Sequence, residues 1–186
     1  MTVGHVSAWT GSPSWRMVGG VVFFGLLAVA CAFDIRTRRI PNWLVMVLAL
    51  SGIIVTVATA PRISVGLLAS LGGLVVGLLI WLPSWLFKLL GAGDVKMFAA
   101  AGAWLGMRGA FEGAIFAAFA GGVLALIWML WYRGLRGSAL TVWAAGVHPK
   151  SLIQPLDSLS GARALPYTVA LAVGAGVAAC YPHLLF

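Results

Sequence analysis

The chain has 186 residues, of which 62% are hydrophobic and 9% charged, with a formal net charge of +8. Soluble domains carry about 25% charged residues, so this chain has too little polar side chain to coat a water-facing surface. That excludes an ordinary soluble globule, a disordered chain and a disulfide scaffold, and it leaves an integral membrane protein.

In chain order, residues 1–16 form a short tail, and the first 15 lack the basic n-region of a cleaved signal peptide. Uncharged apolar runs follow at Met17–Phe33, Trp43–Ala60, Ile63–Phe87, Gly113–Tyr132 and Leu165–Phe186. Each is long enough to cross a bilayer as a helix, the first only just. Their apolar residues are continuous, which excludes the alternating pattern of a membrane barrel strand. Val95–Met107 is shorter and contains Lys96, so it reads as a short span or a re-entrant hairpin.

Charge favours the span. With six crossings and the N-terminus outside, Arg36, Arg38, Arg39, Lys88, Lys96, Arg133, Arg136, Lys150 and Arg163 face the cytoplasm, and Arg16, Arg62 and Arg108 lie outside. This is the positive-inside distribution, and it accounts for the net charge without nucleic acid. The expected architecture is one all-α membrane domain over residues 1–186, with about six transmembrane helices. Residues 133–163 are expected as a cytoplasmic loop along the membrane surface.

Glycine is abundant, and Gly73/Gly77 and Gly102/Gly106 form two Gly-x-x-x-Gly pairs. Such pairs let helix backbones approach closely in lipid. Cys31 and Cys180 have neither metal-ligand spacing nor, on opposite faces of the membrane, the geometry for a disulfide. His5, His148 and His183 are scattered, so no metal site and no cofactor is expected.

The only acids are Asp34, Asp94, Glu112 and Asp157. An acid at membrane depth is expensive and marks a functional candidate. Asp34 ends the first span, and Asp94 precedes the fourth in Gly-Ala-Gly-Asp-Val-Lys. Two spans separate them, so both return to the same face, the cytoplasmic boundary. Singly, Asp34 could pair with Arg36 or Arg38, and Asp94 could cap a helix. Together they suit acid–base work: an ionised carboxylate takes a proton from water while a protonated one hydrogen-bonds a carbonyl. The helix N-terminus and Lys96 beside Asp94 favour it as the starting base. Gly91 and Gly93 would let the backbone bend sharply and approach another helix or a peptide. Glu112, at the outer end of the fifth span, is expected in a surface pair with Arg108, and Asp157 in a solvated loop.

Gly91-Ala92-Gly93-Asp94-Val95-Lys96, followed by Gly102-Ala103-Trp104-Leu105-Gly106, resembles the signature of GxGD-type prepilin peptidases. Asp34-Ile35-Arg36-Thr37-Arg38-Arg39-Ile40-Pro41-Asn42 resembles that family's first aspartate segment, and Leu165-Pro166-Tyr167-Thr168-Val169-Ala170 its last-helix motif. The resemblance implies a six-helix aspartic endopeptidase of the cytoplasmic (inner) membrane that cuts the leader from prepilins. Residue by residue, it puts the catalytic aspartates at Asp34 and Asp94, motif glycines at Gly91 and Gly93, and a motif lysine of open role at Lys96. It implies a prepilin precursor as substrate, with the lipid bilayer and pilus-assembly machinery as partners. Longer members carry an N-terminal segment with cysteine pairs, associated with zinc and with methylation of the pilin. About 16 residues precede the first span here, without such pairs. The chain therefore looks like the peptidase-only form found with tight-adherence (Flp-type) pili. Competing readings are a small proton-coupled transporter, a catalytically silent pilus-assembly factor and a presenilin-like protease.

Overall fold

A computed structural model describes residues 12–37, 39–87, 90–147 and 167–181. Among these residues the secondary structure is helical: α1 (Pro13–Thr37), α2 (Asn42–Thr59), α3 (Ile63–Leu86), α4 (Ala92–Val147) and α5 (Tyr167–Cys180). Arg16–Thr37, Asn42–Thr59, Ile63–Leu86 and Ala92–Ile127 are long and apolar enough to cross a membrane, and α5 is apolar but shorter. Met17, Val21, Leu50, Ile54 and Phe119 point outward and are largely exposed. Such a belt is unfavourable in water and natural against lipid, where helices satisfy their own backbone polar groups. The chain is a multi-pass membrane protein.

Proline sets the short connections. Pro41 and Pro61 cannot continue a helix, and α2 lies between them. Near the start of α2, the Leu44 amide donates to the Pro41 carbonyl at 3.1 Å.

The long α4 is not straight. Gly106 has φ 72°, a left-handed value that side chains resist. A Cβ built on Gly102 would lie 3.4 Å from the Cβ of Ala110. Eight residues of straight helix would separate these positions by about 12 Å. The chain therefore folds back at Gly106, into a first arm over 92–105 and a second from 107 onward.

The first arm runs antiparallel to α3. Gly73 faces Gly102 so tightly that a Cβ on either would strike the other's carbonyl oxygen, and Gly77 lies over the backbone of Phe98 and Ala99. The second arm runs antiparallel to α5: Gly121 faces Tyr167, Ala117 faces Gly174, and Gly113 faces Ala178. The expected use of glycine for close packing is thus seen, and Gly106 adds a turn that packing alone would not require.

Trp104, fully buried, stands at the centre. Its Nε1–H donates to the Leu48 carbonyl at 2.8 Å, and its ring meets Phe23 at 5.4 Å. Glycine at position 52 makes room for that indole, since a Cβ there would come within 2.5 Å of it. Nearby, the Thr56 hydroxyl donates to the Ala103 carbonyl at 3.1 Å. Interhelical hydrogen bonds in a bilayer contribute about 0.6–2 kcal/mol each.

Two expectations change. Helical hydrogen bonding continues through Val147 into the stretch expected as a surface loop. No proline interrupts residues 133–147, and Pro149 is the first to follow; residues 148–166 lie outside those described. Glu112 is only 1% exposed, although the expected Arg108 pair is present at 3.3 Å. The turn at Gly106 folds Glu112's arm back onto the bundle, so the carboxylate is covered instead of lying on the surface.

Candidate active site

The end of α1, the starts of α2, α4 and α5, and the end of α3 meet at one end of the bundle. Phe33 packs edge-on against Trp43 at 6.2 Å. Trp81, near the end of α3, packs against Phe98 at 5.9 Å and Tyr167 at 6.1 Å. Ile40, in the α1–α2 connection, touches Gly93: a Cβ built on that glycine would lie 3.5 Å from the isoleucine's.

Asp34 projects from the last turns of α1, half-buried. The helix stops soon after, where the Thr37 hydroxyl engages the Phe33 carbonyl at 2.8 Å and the Arg39 carbonyl at 3.0 Å. No ion pair joins Asp34 to the exposed Arg36 among the described residues. Arg38, the other partner considered, lies outside those residues.

Asp94 is half-buried in the first turn of α4, where the helix dipole favours negative charge. Its amide donates to the Gly91 carbonyl at 3.1 Å. It lies inside the helix start and is not the capping residue. The Thr168 hydroxyl, fully buried at the start of α5, donates to Asp94 Oδ1. The Thr168 carbonyl in turn faces the Cys31 thiol of α1 at 3.9 Å. One residue of α5 thereby touches both α4 beside Asp94 and α1 one turn before Asp34. Asp34 and Asp94 are thereby brought to the same end of the bundle.

The motif glycines stand where the chain turns from α3 into α4. A Cβ on Gly91 would sit 3.3 Å from Asp94 Oδ2, so glycine leaves room for the carboxylate. Gly93 makes ordinary contacts with Ile40, and Gly106 is the positive-φ glycine among the described residues. Lys96 is exposed and forms no ion pair with Asp94. Two positions apart, the pair point to different sides of the helix. Asp157, His5, His148 and His183 lie outside the described residues.

Sequence reasoning missed Cys31 and Thr168. Cys31 was findable, being three residues before Asp34 and so on the same helix face. Thr168 lies inside the last-helix motif, but its contact with Asp94 spans 74 positions and depends on the assembled fold.

A sequence model of the type IV leader peptidase family matches residues 21–130. A prepilin leader peptidase/N-methyltransferase of Pectobacterium carotovorum is 34% identical over 135 residues, 67% of this chain and 44% of the relative. The protein of the same description from Dickeya chrysanthemi is 31% identical over 128 residues, 65% of this chain and 44% of the relative. One from Burkholderia pseudomallei is 36% identical over 126 residues, 62% of this chain and 38% of the relative. The chain thus spans under half the length of these curated relatives. No solved structure matches it. With the family match covering more than half of its residues, the chain belongs to the type IV leader peptidase family.

Proposed function

We propose that the chain is an aspartic endopeptidase of the inner membrane that removes the leader from prepilin-like precursors, Flp-type pilins among them, using Asp34 and Asp94. The observation that supports this reading is that two half-buried carboxylates from different helices lie at one end of a membrane bundle, with Thr168 touching Asp94 on one side and α1 one turn before Asp34 on the other. The family match supplies the substrate class.

The chemistry follows from the pair. Two nearby carboxylates share one proton more easily than they hold two charges. The Thr168 hydroxyl holds the Asp94 carboxyl in place at the start of α4. The ionised member of the pair takes a proton from water as the water oxygen bonds to the scissile carbonyl carbon. The protonated member hydrogen-bonds the carbonyl oxygen as that oxygen gains charge. The tetrahedral intermediate then collapses, the C–N bond breaks, and the amine leaves with the proton that the first carboxylate took from water.

Six crossings are consistent with the helix arrangement, and the distribution of basic residues favours the N-terminus outside. Thr168 opens α5 and reaches Asp94 at the opening of α4, so an even number of crossings lies between them. The reversal at Gly106 supplies that second crossing. Both aspartates then belong at the cytoplasmic boundary. A prepilin has a basic leader and an apolar helix, and anchoring the helix in the bilayer holds the scissile bond at this depth. Such positioning removes much of the entropic cost of reaction.

The test is co-expression with a Flp-type prepilin, following the pilin's mass. Loss of the leader mass is expected with the chain present and not without it. An intact precursor beside inserted, folded enzyme, repeated with pilins encoded nearby, would move the reading to a transporter or a silent assembly factor.

A further inference from the structure

Between α1 and α5 lies an open apolar groove of about 430 Å³. On α1 it is lined by Phe24, Leu27, Ala28 and Cys31, the spacing of a single helix face. The next position on that stripe is Asp34. On α5 the floor includes Ala172 and Gly176, small enough for another backbone to come close. The opposite wall starts at Val169, beside the threonine that holds Asp94. One end of the groove, at Cys31 and Val169, therefore lies within one helix turn of Asp34 on α1 and next in sequence to Thr168 on α5. The groove also lies against the helix least packed into the bundle, since α1 makes sparse contact with its neighbours. Gly25, on α1, has nothing near its Cβ position.

Resting on the peptidase reading, we infer that this groove is the docking site for the apolar helix of the substrate. The helix lies between α1 and α5, with the scissile bond delivered at the Asp34 end. Three features select such an occupant. The lining is almost purely apolar, which suits a helix that satisfies its own backbone. The concave floor of small residues receives protruding side chains. The groove also ends at the one place where the substrate must become polar and be cut.

The two native cysteines make the inference measurable, because they stand at opposite ends of the groove. At 1.5 Å per residue, Cys31 lies roughly 4–5 Å and Cys180 roughly 18 Å along the axis from the carboxylate end. A docked helix should therefore present a residue roughly three positions after the scissile bond to Cys31, and one roughly twelve positions after it to Cys180.

The experiment places single cysteines along the apolar helix of a prepilin and oxidises membranes containing the Asp94→Asn enzyme, which holds the precursor uncut. Cleavage of the same precursors by the unaltered enzyme is followed in parallel. Cross-links are expected to Cys31 from proximal positions and to Cys180 from distal ones, each lost with Cys31→Ser or Cys180→Ser. In a second arm, Ala172→Trp fills the groove. It should raise KM for the membrane-bound precursor at least tenfold. Precursors that are cut but cross-link to neither cysteine, or without register, overturn the docking site and leave the peptidase reading standing. A Cys180–Cys180 link between enzyme copies that excludes the precursor gives the groove to a second copy. Precursors left uncut by the unaltered enzyme overturn both readings.

Discussion

The Thr168 hydroxyl donates a hydrogen bond to Asp94 Oδ1, joining the first turn of α5 to the first turn of α4 across 74 positions of sequence. Thr168 is wholly buried, so water does not replace that donor when it is lost. A hydrogen bond to a charged group is worth about 1.5–3 kcal/mol, and each 1.36 kcal/mol is tenfold in rate. Thr168→Val should therefore lower kcat for prepilin cleavage roughly 10- to 100-fold with KM little changed. Thr168→Ser keeps the hydroxyl and should stay within a few-fold of the parent. Steady-state cleavage in proteoliposomes separates these outcomes. A valine variant with unaltered kcat would remove Thr168 from the machinery.

The tight crossing and the turn make separate demands on glycine. Gly106→Ala forces a side chain into the left-handed region and should destabilise the bundle by about 1–2 kcal/mol. Gly102→Ala drives a methyl into the Gly73 carbonyl, an overpacking that costs about 1–3 kcal/mol. Gly25→Ala, with open space at its Cβ, should be close to neutral. Unfolding in mixed micelles measures all three. A harmless Gly102→Ala would mean that the α3–α4 crossing is looser than described.

Glu112 pairs with Arg108 and lies away from the meeting of helix ends that holds Asp34. Glu112→Gln preserves shape but removes the charge from the pair, and should lower stability by about 1–3 kcal/mol. Cleavage by the folded fraction should match that of the parent. A stable but inactive Glu112→Gln would add a third acid to the site.

Much of this fold is legible in the sequence because bilayer helices are bounded by simple signals. The apolar runs between Pro41 and Pro61 and after Arg62 become α2 and α3 with ends displaced by about one residue. The shared end of Asp34 and Asp94 is legible for a related reason: an even number of crossings returns the chain to one face. Gly106 resists such reading, because one Gly-x-x-x-Gly pattern serves both a packed crossing and a reversal. Only the partner across the crossing, Gly73, distinguishes the two uses. Glu112 misleads because its burial is set by the folding-back of its arm, whereas an i,i+4 pair looks the same on any helix. Thr168 is silent because a threonine near a helix start ordinarily serves its own backbone. Its service to Asp94 exists only once α4 and α5 are assembled.

The measurement that bears most directly on the two-aspartate assignment compares the parent with Asp34→Asn, Asp94→Asn and the double variant. Each is shown to be inserted and folded, and each is co-expressed with a prepilin whose mass is followed. Asparagine keeps the shape of aspartate but neither releases nor accepts the catalytic proton. Both single variants should leave the precursor intact, and the double variant should be no worse than either, since the pair acts as one unit. Leader removal by either single variant at a rate near the parent's would contradict the assignment.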